Sequence, residues 1–273
     1  KLGRKMSKSL GNSPDPLDLI DKFGADGVRM GMMLAAPAGN DILFDEALCE
    51  QGRNFCNKIW NAFRLVRGWE VSDAIEQPAT SALAIQWFGA QMRKSAAEMA
   101  DLFTKYRLSE ALMEVYRLFW DEFSSWYLEM VKPAYQQPID ATTYAATIGF
   151  FDDLLHLLHP FMPFISEELW QHIDERKEGE SISVSPQNIA APLADDAQLI
   201  TDIEHIKGII SGVRAARAQK GLSPREALPL SMVGDNQFVA YDQLLIKMAN
   251  ISELTSVAEA QGAGYSTFMV GTT

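Results

Sequence analysis

Lys5, Ser7, Lys8, Ser9 and Gly11 fall within one short run, Lys5-Met6-Ser7-Lys8-Ser9-Leu10-Gly11-Asn12. Two ammonium groups, two hydroxyls and a glycine that lets the backbone come close suit one ligand class, a polyphosphate. Attack of a carboxylate on the α-phosphate of a nucleoside triphosphate builds negative charge on the departing pyrophosphate. Lysines on a loop that closes as this charge develops favour the transition state over the bound substrate. Lys8 and Lys5 are the candidates for that role. Ser7 and Ser9 would fix the loop or donate to phosphate, and Met6 is expected to pack inward. An ordinary solvated terminus is the alternative for so short a run. The four residues ahead of Lys5 cannot supply a base pocket or a second wall. The chain therefore reads as the later part of a larger enzyme.

A second set of residues suits RNA. At 100° per residue over 46–67, Leu48, Phe55, Ile59, Ala62, Phe63 and Val66 share one face. Asn54, Asn57, Lys58 and Asn61 share the opposite face, flanked by Arg53 and Arg64. Solvated helix faces favour Glu and Lys, whereas Asn is a poor helix former. A stripe of asparagines lowers helix stability, so its amides are expected to touch RNA or to brace a neighbouring helix. Arg214 and Arg217 lie on one side of a later predicted helix, with Lys207 nearby. Their two readings are solvation and phosphate contact. His156 and His159 with Asp152 and Asp153 lack further convergent ligands, so they read as structural and no metal site is expected. His159 precedes Pro160 and is expected to close its helix as a cation that suits the dipole.

These residues need elements to hold them. The spacing predicts loop, strand and short helices over 1–46, with a helix from Asp15-Pro16 to Gly24, a second over 25–36 and a turn over 36–40. The clearest helix is 46–67. Long helical stretches follow at 80–104, 107–132 and 141–158, with another after Pro163. Phe119, Trp120, Phe123, Trp126 and Tyr127 are assigned to the core, as aromatics at helical spacing usually are. The charged, turn-rich stretch 174–190 marks a boundary. Beyond it come a helix over 197–220 ended by Gly221, a strand over 228–233, a helix over 236–248, and strands over 253–257 and 266–270. The fold class is mainly α: a helical bundle, preceded by the loop-bearing segment and followed by a small α+β unit. The divisions are 1–46, 47–185 and 186–273.

Composition sets limits on function. The chain has 273 residues, 47% of them hydrophobic, enough for a globular core. No apolar run reaches membrane-spanning length. Cys49 and Cys56 alone give neither a disulfide framework nor a zinc site, which points to a reduced, cytoplasmic protein. The net charge of −12 opposes indiscriminate nucleic-acid binding. The acid is unevenly spread. Residues 1–67 carry 10 Lys/Arg against 8 Asp/Glu, and residues 203–225 carry 5 against 1. Two surfaces are thus free to dock one polyanionic partner.

The run from Gly3 through Asn12, then Asp15-Pro16-Leu17, then Gly24-Ala25-Asp26-Gly27-Val28-Arg29, resembles the KMSKS region of class I aminoacyl-tRNA synthetases. Ala35 to Glu46, and Gly52-Arg53-Asn54-Phe55-Cys56-Asn57-Lys58-Ile59-Trp60-Asn61-Ala62, are similar to the valyl branch. Trp126-Tyr127-Leu128-Glu129 and His159 to Trp170 are similar to marks shared by the valyl, isoleucyl and leucyl branches. The isoleucyl branch is the alternative within the family. A helical protein-interaction module without RNA binding is the alternative outside it.

The resemblance implies a ligase that uses ATP with Mg2+, activates valine and charges a valine tRNA. It implies Lys5, Met6, Ser7, Lys8 and Ser9 at ATP, with Lys5 and Lys8 catalytic. It implies Arg53, Asn54, Lys58, Asn61 and Arg64 at tRNA; Arg214 and Arg217 join them as candidate tRNA contacts on their shared helix side alone. The HIGH half of such an active site, an editing domain and a closing coiled coil are not found. Hence the chain alone is expected to be an inactive, monomeric RNA-docking part that binds no cofactor tightly.

Overall fold

The computed structural model describes residues 6–36, 43–234, 236–260, 262 and 264–270; the side chain of Lys8 lies outside the description. The first helix, α1 (Pro16–Phe23), starts where Asp15 caps the Leu17 N–H at 2.8 Å and Pro16 occupies the first turn. It ends at Gly24, whose φ of +76° lets the chain turn straight into α2 (Ala25–Leu34). Asp45 caps α3 (Glu46–Arg67) through the Ala47 N–H at 3.0 Å. No strand occurs among the described residues of 6–46, which corrects that expectation: the apolar run after Gly27 is helical and buries Met30 against α3. Residues 37–40 of the expected turn lie outside the described residues.

The bundle comprises α4 (Ala79–Thr104), α5 (Leu108–Arg117), a π-helical stretch (Leu118–Tyr127), α6 (Leu128–Val131), α7 (Ala141–Leu158) and α8 (Pro163–Ile173). Phe119, Phe123 and Tyr127 are fully buried, with Phe55, Phe88 and Phe151 around them. The Phe123 and Tyr127 rings stack at 5.4 Å. Trp120 and Trp126 are only partly buried, so the core assignment holds for three of those five aromatics. The wider π turn was not legible, because a 3.6-residue pattern does not distinguish it. A short parallel bridge joins β1 (Val71–Ser72) to β2 (Ile139–Asp140). Asp140 then caps α7 through Thr143 N at 2.7 Å.

On α7, burial first and the Asp152 charge second push the Asp153 carboxyl up to about 6. A carboxyl raised in the folded state costs stability once it ionises. The penalty is absent below the usual value near 3.8 and complete above about 6. Asp153→Asn is therefore expected to raise the melting temperature at pH 7 and to leave it unchanged at pH 3.5. Thermal melts at the two pH values check this, and an equal shift at both would contradict the assignment.

The third part packs onto the bundle through α9 (Asp196–Lys220). Arg93 of α4 grips Asp196 with two hydrogen bonds of 2.8 and 2.5 Å. Gly221 ends α9 in the left-handed region, φ +66°. Strand β3 (Leu228–Val233), helix α10 (Asp242–Ala249) and parallel strand β4 (Ile251–Val257) form one crossover unit. Two expectations fail here. Helix α10 starts at Asp242, since the Asn236 side chain accepts from Phe238 N and donates to Asp242, forming a turn ahead of it. Residues 266–270 form no strand. Phe268 and Val270 lie against Gly212 and Gly208 of α9, where a Cβ on either glycine would overlap them.

Candidate nucleic-acid interface and phosphate loop

The loop of the first motif closes on itself. Ser7 N donates to Asn12 Oδ1 at 2.8 Å, the Ser7 and Ser9 hydroxyls meet at 3.0 Å, and Leu10 N donates to Ser7 O at 3.2 Å. Residues Lys8–Leu10 make one 3-10 turn, and Gly11 follows at φ +60°. Gly11 and Asn12 thus have local roles: one supplies the left-handed residue, the other ties the loop shut. The Ser7 and Ser9 hydroxyls bond each other, and Ser7 Oγ also accepts from Leu10 N at 3.3 Å. Met6 is 39% exposed, so it does not pack inward as expected. Nothing among the described residues covers it in an apolar pocket. Lys5 lies outside the described residues, as does the Lys8 side chain.

Helix α2 fixes this loop-bearing segment to the bundle. Gly27, Gly31 and Gly52 let α2 and α3 touch backbone to backbone. A Cβ on Gly52 would sit 2.6 Å from Gly27 O, and one on Gly31 would sit 2.6 Å from Cys49 Sγ. Asp26, 5% exposed, then caps α8 from outside: Phe164 N and Ile165 N donate to its carboxylate at 3.3 and 2.7 Å. Met162 stands at the cap position of α8 and has no side-chain cap to offer, so Asp26 satisfies these N–H groups instead. Burial raises the Asp26 carboxyl, while the two backbone N–H groups and Arg29 act to lower it. Arg29 donates to Phe161 O at 3.0 Å and Pro160 O at 3.2 Å. The acidic and basic residues of the Gly24–Arg29 motif are therefore a latch onto the corner between α7 and α8.

The polar face of α3 is open. Asn54, Asn57, Asn61 and Arg64 are exposed and make no hydrogen bond, ion pair or ring contact among the described residues. The bracing alternative is thus not taken by any described side chain. Arg53 pairs with Glu50 at 3.2 Å and lies 5.8 Å from the centre of the Phe23 ring. Lys58 sits 5.2 Å from the centre of the half-buried Trp120 ring, which stacks in turn on Tyr116 at 5.5 Å. The stripe therefore offers two guanidinium groups, one ammonium and free amides on one helix, with the Trp120 ring of the π-helical stretch beside it.

Residues 86–232 match the family model of the anticodon-binding domain of tRNA ligase. The chain belongs to that family. Residues 1–45 match a second model, tRNA synthetases class I (I, L, M and V). The chain is 64% identical to a valine–tRNA ligase of Phocaeicola vulgatus and 62% identical to one of Bacteroides thetaiotaomicron. Both alignments cover 100% of this chain and 31% of the relative. The chain thus spans about a third of the length of the curated relatives it matches. A leucyl synthetase from Agrobacterium radiobacter K84, solved in a ternary complex with tRNA and LeuAMS, gives a TM-score of 0.48. Its identity is 21%, over 72% of this chain and 23% of that one. The two curated relatives are valine ligases and the bundle matches an anticodon-binding domain, so neither the isoleucyl alternative nor the interaction module is favoured.

Seen as an anticodon-binding fold, the basic stretch 203–225 needs correction. Arg217 is 5% exposed. Its guanidinium donates to four backbone carbonyls, those of Ser223, Glu226, Ala249 and Asn250, at 2.5 to 3.2 Å. It pins the loop after α9 to the end of α10 and offers RNA no surface. Lys207 is also buried, held by Glu122 at 2.8 Å and by Glu204, near the Trp87 and Trp126 rings. Arg214 stays exposed, with one bond to Met248 O at 3.1 Å and its guanidinium over Trp126. His159 is corrected too. Its Nδ1 meets Ser166 Oγ at 2.8 Å and its Nε2 meets Ser183 Oγ at 2.9 Å. The Ser166 proton goes to Met162 O, so Nδ1 donates and a neutral ring leaves Nε2 to accept. Burial lowers this imidazole, which disfavours the cation.

Proposed function

We propose that this chain is the loop-bearing and tRNA-docking part of a valine–tRNA ligase. One observation carries the reading: the latch of Asp26 and Arg29, with the glycine contacts of α2 and α3, makes the bundle and the helix pair that follows the phosphate loop one body. RNA held by the bundle is thereby coupled to the segment from which the loop extends. Residues 1–46 act as the loop and stem-contact segment, 47–185 as the anticodon-binding bundle, and 186–273 as the small α+β unit. In the ligase, ATP arrives with Mg2+ and valine binds on the catalytic half. The valine carboxylate attacks the α-phosphate, the bond to the β-phosphate breaks, and pyrophosphate leaves with the negative charge that Lys5 and Lys8 stabilise. Met6, Ser7 and Ser9 shape the loop around that charge.

The tRNA lies along α3. Arg53 and Arg64 meet phosphates, and Asn54, Lys58 and Asn61 meet unstacked bases. The partner is a valine tRNA, the ligase is cytoplasmic and monomeric, and the chain alone does not activate valine. No helix among the described residues is long and apolar enough to cross a membrane.

The α3 contact is tested in the full-length ligase by the triple variant Arg53→Ala, Lys58→Ala, Arg64→Ala. Each lost phosphate contact lowers the slope of log affinity against log salt by about 0.9. We expect tRNA affinity to fall about tenfold or more, with the slope reduced by about two. Filter binding across a salt series measures both. Unchanged affinity and slope would dismiss this helix as the docking face.

A further inference from the structure

A cleft of about 510 Å³ opens where the bundle meets the α+β unit. Three cations from three different elements line it: Lys132 after α6, Arg214 on α9 and Lys247 on α10. Lys132 is paired with Glu129 at 2.7 Å. Lys247 and Arg214 have no carboxylate partner among the described residues. Lys247 donates to Met130 O at 2.6 Å, and Arg214 donates to Met248 O. Those carbonyls orient the two cations and leave their charge uncompensated. The other acid in the wall, Asp140, is 3% exposed and already caps α7. The rest of the wall is largely apolar, including Ile75, Pro138 and Met248.

Three cations face two carboxylates, one paired with Lys132 and one committed to the α7 cap, so the cleft keeps a net positive charge. Lys247 registers this: burial first, and the Lys132 charge second, lower its ammonium. An anion seated between Lys132, Arg214 and Lys247 would relieve the repulsion and replace lost hydration. The apolar floor is suited to the flat face of a base or a ribose, as in small-ligand pockets with few polar groups.

We propose that this cleft is a nucleotide seat that takes one unstacked nucleotide of the docked RNA. Its phosphodiester lies between Arg214 and Lys247, and its base lies on the apolar floor. Lys132 stands at the rim. The seat lies away from the α3 stripe and joins the α+β unit to RNA docking, a role that the buried Arg217 cannot serve. It rests on the tRNA-docking reading above.

The test uses this chain with a valine tRNA transcript. Affinity is measured from 50 to 200 mM salt, with hydroxyl-radical footprinting of the RNA backbone. The double variant Arg214→Gln, Lys247→Met keeps side-chain length, and a thermal melt confirms that it folds. Because Lys247 also bonds Met130 O, the exposed rim variant Lys132→Glu provides a second probe. We expect the double variant to bind about tenfold more weakly, with a salt slope lower by about one, as one phosphodiester is released. We expect Lys132→Glu to weaken binding as well, and one protected nucleotide to become accessible in both. Unchanged affinity, slope and footprint in both variants would overturn the seat and leave RNA docking standing. Failure of the unsubstituted chain to bind any tRNA would instead overturn the docking reading, and the seat with it.

Discussion

Lys8→Ala in a ligase that carries this chain is expected to lower kcat for valine-dependent pyrophosphate exchange by about 10²–10³. The KM for valine should stay within about twofold, because the lysine acts on charge that appears only as pyrophosphate departs. The magnitude follows from removing one preorganised donor, which costs roughly 3–4 kcal/mol of transition-state stabilisation. The tied loop makes the effect specific. Ser7, Ser9, Leu10 and Asn12 hold the turn by hydrogen bonds among themselves. The variant should therefore keep its fold and its tRNA affinity while losing chemistry. Exchange at the unsubstituted rate would remove Lys8 from the mechanism.

Arg217→Ala is expected to lower the stability of the region from α9 through β4 by roughly 3 kcal/mol. Even one buried acceptor left without a donor costs about 1–3 kcal/mol, and Arg217 serves four carbonyls. Calorimetry should show that region melting first, or a lower single transition. Arg214→Ala, at an exposed site, should shift stability by no more than about 0.5 kcal/mol. The opposite pattern, a tRNA-binding loss in Arg217→Ala with an unchanged melt, would restore Arg217 to the RNA surface.

These two arginines show where sequence stops being legible. Both stand on the same side of a helix in a basic stretch, and spacing alone treats them alike. What separates them is the backbone of residues 223–226 and 249–250, which folds over Arg217 and leaves Arg214 outside. The latch has the same character. The Gly24–Arg29 motif was legible as a motif, but the partners of Asp26 and Arg29 lie more than a hundred residues later. No periodicity within the motif names them. The cationic nature of His159 was misjudged for a similar reason. A helix end favours positive charge, yet burial favours the neutral ring.

Local physics was readable where it acts locally. Helix α3 begins after a capping aspartate and ends before Gly68, and its apolar face is the buried one. Helix α9 ends at Gly221 because the chain there needs a left-handed residue. Where local preference competes with packing, it fails. Residues 266–270 have strand-like composition, but the glycines of α9 offer Phe268 and Val270 a groove that a third strand does not. Lys132 and Lys247, the cleft residues missed in the sequence, carry no spacing signal, because three separate elements bring them to Arg214.

Docking of a valine tRNA by this chain is the expected behaviour. Its most direct test is the affinity of the chain for a valine tRNA transcript, and for one with an altered anticodon, at low and moderate salt. The account predicts binding that weakens with salt and is tighter for the native anticodon. Equal binding of both transcripts, or of neither, would contradict it.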